Sequence, residues 1–138
     1  MKIHVNRIPS EGRHEEARYE PKALDVDRPD LRVSEPVAVS AFITKVEDAL
    51  VVEADIRSQV ELACARCLVG FAAPLRATAL LTYQVGPADV VDITEDVRQE
   101  LLLAYPMIPL CAPGCKGLCR GCGQNLNDRS CACESFTP

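Results

Sequence analysis

No stretch of this chain is both apolar enough and long enough to cross a bilayer as a helix, which excludes a helical membrane span. The N-terminal Met1-Lys2-Ile3-His4-Val5-Asn6-Arg7 lacks the apolar segment and cleavage site of an export signal, so a cytoplasmic protein is expected. A basic surplus is missing as well. Fifteen Lys and Arg stand against 20 Asp and Glu, a formal net charge of -5, which leaves a simple electrostatic clamp on phosphates unsupported. There is no Ser/His/Asp set, catalytic carboxylate pair, phosphate-binding glycine loop or catalytic zinc motif. Histidine is scarce: His4 lies in a strand pattern and His14 in a polar loop, and both are expected to be exposed rather than metal ligands. Neither enzymatic activity nor a small-molecule substrate is expected.

Cysteine is what the chain has in quantity. Cys111, Cys115, Cys119, Cys122, Cys131 and Cys133 follow one another as C-x3-C-x3-C-x2-C-x8-C-x-C, and Cys64 and Cys67 form a C-x2-C pair far upstream. Eight thiols in groups of two match the needs of two four-thiolate zinc sites, because zinc takes soft ligands tetrahedrally. Disulfides would need an oxidising compartment, which the missing export signal argues against. The runs that hold iron-sulfur clusters in ferredoxins, C-x2-C-x2-C and C-x4-C-x2-C, do not occur. Two structural zinc ions are therefore the expected cofactor.

Hydrophobic periodicity gives the fold class. Leu50, Val52, Ala54, Ile56, Val60, Leu62 and Cys64 alternate with Glu53, Asp55, Arg57, Gln59 and Glu61, the pattern of a long half-buried strand. Val37, Val39, Ala41 and Ile43 precede it with the same period, and Ala77, Ala79, Leu81, Tyr83 and Val85 follow it. Three consecutive strands of this length predict a twisted antiparallel meander, curled or closing toward a small open barrel. The first residues add another strand. Residues 9–36, polar and punctuated by Pro9, Pro21, Pro29 and Pro36, read as a loop-rich connection with one short helix or edge strand. After a short strand at Val90-Val91-Asp92-Ile93 the period changes: Thr94 is placed to cap a helix with Glu95 and Asp96 in its first turn and Val97, Leu101, Ala104 and Tyr105 on its apolar face. Pro106 and Pro109 end it. The class is β-rich α+β, with a core domain at residues 1–110 and a cysteine-rich zinc-knuckle tail at residues 111–138.

The Cys64-Ala65-Arg66-Cys67 pair falls between two long strand patterns and so belongs at a hairpin tip, where no helix follows to favour redox chemistry. In the tail, Gly117, Gly121 and Gly123 permit the tight turns a metal knuckle needs. Cys119 and Cys122 with Cys131 and Cys133 would form a compact local site, leaving Cys111 and Cys115 to join Cys64 and Cys67. A competing division groups Cys111, Cys115, Cys119 and Cys122 on one ion. Arg66, Lys116, Arg120 and Arg129 surround these turns as candidate contacts for phosphate or for an acidic protein surface, or as solubilising charges.

Three motifs in order carry a family resemblance: Leu62-Ala63-Cys64-Ala65-Arg66-Cys67-Leu68, then Glu100-Leu101-Leu102-Leu103-Ala104-Tyr105-Pro106, then Leu110-Cys111 leading into Cys115-Lys116-Gly117-Leu118-Cys119-Arg120-Gly121-Cys122-Gly123-Gln124-Asn125-Leu126-Asn127. Over about residues 31 to 133 the chain resembles the YceD family of large ribosomal RNA subunit accumulation proteins. The resemblance implies a part in ribosome biogenesis, with large-subunit pre-ribosomal RNA or ribosomal assembly proteins as partners. It assigns no catalytic residue and no contact surface. The alternative is a zinc-stabilised adaptor that touches protein alone, with effects on rRNA downstream.

Overall fold

The computed structural model describes residues 1–133, so the end of the expected tail, 134–138, lies outside the described residues. In chain order the elements are β1 (Lys2–His4), a 3₁₀ turn (Val5–Arg7), β2 (Arg13–Tyr19), α1 (Pro21–Leu24), β3 (Leu31–Val33), β4 (Val37–Val46), β5 (Ala49–Ala63), β6 (Gly70–Gln84), β7 (Val90–Asp92) and α2 (Thr94–Leu103). Strands β4, β5 and β6 form the predicted antiparallel meander. Its first turn is tight, with only Glu47 and Asp48 between the paired Val46 and Ala49, and Glu47 takes a left-handed φ of 54°. One edge of β5 is paired with β6 throughout, and the other is shared: β4 covers it as far as Arg57, and β3 takes over at Val60–Leu62. β2 lies outside β4, completing an open five-stranded sheet, while β1 and β7 pair separately.

The period of two sends Val39, Ala41, Ile43, Val52, Ala54, Ile56, Ala77 and Ala79 to one face, where all are buried. Ile3, Val5, Leu24, Val26, Ile93, Val97 and Leu101 complete the same cluster from β1, α1 and α2. The helix packs on β6 and is fastened there by the Tyr83 hydroxyl, which donates to Asp96 Oδ2 at 2.5 Å. Burial and that carboxylate push the Tyr83 phenol well above its ordinary range, so it stays a donor at any ordinary pH. On the other face Asp55 accepts from the guanidinium groups of Arg57 and Arg76, whose hydrogen bonds hold its carboxyl down at about 2.

Three details differ from the sequence expectation. The region expected to hold one short helix or edge strand holds both: residues 13–19 form a seven-residue edge strand ahead of α1, its polar pattern hiding the backbone pairing with β4. His14 therefore sits on β2 rather than in a loop, with its ring 4.6 Å from that of Phe42. At the helix start the capping position belongs to Ile93; the acceptor is Asp92, whose Oδ1 takes the Thr94 N–H at 3.0 Å and the Thr94 hydroxyl at 2.5 Å. Strand β6 also begins earlier than its apolar alternation suggests. Pro74 is accommodated because β6 is paired along one edge only, and a missing N–H is tolerated on the open side.

The fold places the hairpin tip at the end of a long ribbon. At about 3.3 Å per residue the β5–β6 pair extends roughly 45 Å, and past Arg57 it has only the short β3 beside it. Ile56, fully buried and paired to both Val39 and Ala77, sits where β4, β5 and β6 are all present. Ile56→Ala should lower the urea-unfolding free energy by about 3 kcal/mol through the cavity it leaves, whereas the exposed Leu80→Ala should leave the midpoint nearly unchanged.

Candidate metal centres

The eight cysteines are all free and converge in two sets. The sulfurs of Cys64, Cys67, Cys111 and Cys115 lie within 4.8 Å of one another, as do those of Cys119, Cys122, Cys131 and Cys133. Within the first set Cys64 and Cys115 are 3.7 Å apart and Cys67 and Cys111 3.6 Å; in the second, Cys119 and Cys131 are 3.3 Å apart. Tetrahedral sulfurs about 2.3 Å from a common ion would be about 3.8 Å from each other. Both sets therefore fit a metal ion with four thiolate ligands and no open position. The division that keeps Cys111 and Cys115 apart from Cys119 and Cys122 is the one the geometry has.

Each set is built by a turn that aims backbone N–H groups at sulfur. At the hairpin tip Leu68 N–H donates to the Cys64 carbonyl at 3.0 Å, closing a turn in which Leu68 itself takes a left-handed φ of 62°. In the tail Gly123 N–H donates to the Cys119 carbonyl at 2.9 Å and Gly121 N–H points at Cys119 Sγ at 3.4 Å. A Cβ on Gly121 would meet Cys133 Sγ at 3.3 Å, so glycine is what lets the C-x-C arm approach.

The electrostatics of each set call for a cation. N–H donors from Cys67 and Cys111 bring the Cys64 thiol down to about 6, and those of Cys122 and Gly121 do the same for Cys119. Their neighbours move the other way: Cys67 beside it pushes Cys111 up to about 12, and Cys122 pushes Cys133 up to about 12. Four thiolates cannot share so small a volume without a positive ion, while a divalent ion would hold all four ionised.

The two sets are stitched together. Asn127, in the return turn of the tail, donates through Nδ2 to Cys115 Sγ at 3.3 Å and accepts the Lys116 N–H through Oδ1 at 2.9 Å. Asn125 Oδ1 holds the Asn127 amide in place at 2.9 Å. Gly117 lies on the hairpin tip, where a Cβ would come within 3.3 Å of the Arg66 carbonyl. Arg66 donates to the Cys115 carbonyl at 3.0 Å, and Ala65 N–H donates to the Pro109 carbonyl at 2.7 Å. The structure thus gives Arg66 an internal partner, whereas the side chains of Lys116, Arg120 and Arg129 make no ion pair among the described residues. Asn125 and Asn127 read in the sequence only as turn formers, since nothing in their spacing reveals which distant sulfur an amide will meet. Phe71, Leu110 and Leu118 pack around the buried Cys64, Cys67 and Cys115.

Six of these cysteines fall in a segment with known relatives. Residues 85–138 match the YceD family, described as large ribosomal RNA subunit accumulation protein YceD. The YceD match bears out the resemblance over those residues, while Cys64 and Cys67 lie ahead of it. Among curated proteins, an uncharacterized protein of Mycobacterium leprae is 27% identical over 107 residues, covering 66% of this chain and 49% of that protein. The large ribosomal RNA subunit accumulation protein YCED homolog 1, chloroplastic, of Zea mays is 42% identical over 45 residues, 32% of this chain and 15% of its own. Its Arabidopsis thaliana counterpart is 40% identical over 43 residues, 31% of this chain and 13% of its own. The matches thus span half or less of these relatives' lengths. No solved structure matches the chain. No helix among the described residues is long and apolar enough to cross a membrane.

Two outcomes follow for the metal centres. Asn127→Ala removes the amide that donates to Cys115 and should weaken metal retention by about tenfold in a competition titration against a chelator, with the β-sheet circular-dichroism signal unchanged. Metal affinity should also fall steeply as pH is lowered from 8 to 6, because the Cys111 and Cys133 thiols, raised to about 12, must release protons for the ion to bind; the same titration repeated across that range measures it.

Proposed function

We propose that this protein is a non-enzymatic, cytoplasmic factor that supports the accumulation or processing of large-subunit rRNA, and that its two four-thiol sets hold structural zinc ions. The observation that carries the reading is the YceD match over residues 85–138, the segment that contains one complete four-thiol set and half of the other. Zinc suits the donor set best among common ions, since it favours closed tetrahedral thiolate sites and undergoes no redox change. Its role here is to fold the tail and fasten it to the sheet, with no ligand position left for catalysis. Lys116, Arg120 and Arg129, exposed around the metal turns, with Arg66 at the hairpin tip, supply the positive charge for contact with pre-ribosomal RNA or with acidic surfaces of assembly proteins.

Cells lacking the protein should contain less mature large-subunit rRNA, or more of its precursor, with small-subunit rRNA little changed. Quantitative gel analysis of total RNA measures this, and normal levels in the deletion strain would remove the ribosomal assignment. Complementation by wild type but not by Cys67→Ser would tie the function to the fastened hairpin. Metal analysis of the purified, reduced protein should return two zinc ions per chain.

A further inference from the structure

The end of the molecule that carries the metal centres differs in surface chemistry from the rest. The chain has 20 Asp and Glu, yet none lies between Glu61 and Asp89 and none between Glu100 and Asp128, the two stretches that build the hairpin tip and the start of the tail. In the same two stretches, large aliphatic side chains are exposed: Leu68 is 68% exposed, Met107 95% and Ile108 71%, with Leu103 and Val69 also exposed. They are not carried on a loose segment. Met107 and Ile108 are bracketed by Pro106 and Pro109, and the Pro109 carbonyl is pinned to the hairpin tip by Ala65 N–H. Leu68 occupies the left-handed position of the metal turn, where glycine would be the unstrained choice, and its side chain buries little in return.

We propose that this end is a docking surface for an acidic, amphipathic segment of a protein partner. Leu68, Met107 and Ile108 are the anchors, and Lys116 and Arg120 pair with the partner's carboxylates. Charge complementarity selects the occupant: residues 62–88 and 101–127 carry Arg66, Arg76, Lys116 and Arg120 and no carboxylate, in a chain of net charge -5, so what they expose favours acidic ligands. The chemistry of the anchors then distinguishes protein from nucleic acid. Single-stranded RNA is held by aromatic rings on which bases stack, and here the exposed large side chains are aliphatic, while the nearby Phe71 and Tyr105 are half-buried. Aliphatic knobs beside basic groups match the apolar and acidic faces of an amphipathic helix. Rigid presentation by prolines and a metal turn lowers the ordering cost of binding. The proposal rests on one arm of the reading above, in which these basic side chains meet an acidic protein surface, and it names the chemistry of that partner.

The test uses the full, zinc-loaded chain and a fluorescent synthetic helix with leucines on one face and glutamates on the other. Its lysine-for-glutamate counterpart and single-stranded polyuridine serve as the comparison ligands. Saturable binding of the acidic helix is expected, weakened by salt and about tenfold or more tighter than that of the basic helix. Met107→Ser combined with Ile108→Ser should lower the affinity about tenfold with zinc content unchanged. Leu68→Gly should also lower it while leaving the thermal midpoint unchanged or raised, an outcome a purely structural leucine would not give. Equal binding of the two helices, insensitivity to these substitutions, or tighter binding of polyuridine than of the acidic helix would overturn the proposal. Because every component is purified, a failure here leaves the rRNA measurement in cells as an independent test of the ribosomal reading.

Discussion

The arrangement depends on joining the tip of a long two-stranded ribbon to a tail that is distant in sequence. Cys67 and Cys111 are 44 positions apart, yet their sulfurs meet at 3.6 Å. Closing a loop of that length costs on the order of 3 kcal/mol of chain entropy. The contacts that share the task are few: two backbone or guanidinium hydrogen bonds across the junction, one glycine laid on the Arg66 carbonyl, and a small apolar cluster of Phe71, Leu110 and Leu118. A divalent ion contributes on the order of 10 kcal/mol to a small metallo-domain, so one held by these four sulfurs would outweigh both the loop cost and those contacts. Everything beyond the sheet, including the position of Asn127 and the presentation of Leu68, inherits its geometry from this junction.

The two four-thiol sets differ in ways that matter chemically. In the first, Cys64, Cys67 and Cys115 are buried and the ligands come from two separated stretches. In the second, Cys122 and Cys133 are exposed, Cys119 and Cys131 are half-buried, and all four come from one short stretch. The first set is therefore bound up with the tertiary structure and the second with local folding. Asn127 joins them, since it belongs to the return turn of the second set and donates to a sulfur of the first.

Much of this was legible in the sequence, because the informative patterns are those whose physical period is short. Alternation in residues 37–64 gives strands β4 and β5 almost to the residue, and the C-x2-C pair between strand patterns gives the hairpin tip. What was hidden depends on partners elsewhere. The edge strand Arg13–Tyr19 owes its conformation to the backbone of β4 rather than to its own side chains. Asp92, not Thr94, supplies the acceptor at the helix start, because the first helical N–H and hydroxyl both turn toward it. The division of the cysteines could be preferred from spacing but needed the fold to bring Cys64 and Cys115 together. Asn125 and Asn127 carried no sign of their role at all.

The hairpin tip also has a history during synthesis. Strands β5 and β6 can pair once Gln84 has left the ribosome, so the Cys64–Cys67 turn can form before its two remaining partners, Cys111 and Cys115, have emerged. At 5–20 residues per second the wait from Gln84 to Cys111 lasts roughly 1–5 s. Through that interval the nascent chain displays a half-built thiol pair beside an exposed Leu68, open to metal carriers, oxidants or a chaperone. The order of translation thus makes the most deeply buried ligands the ones that spend longest unprotected.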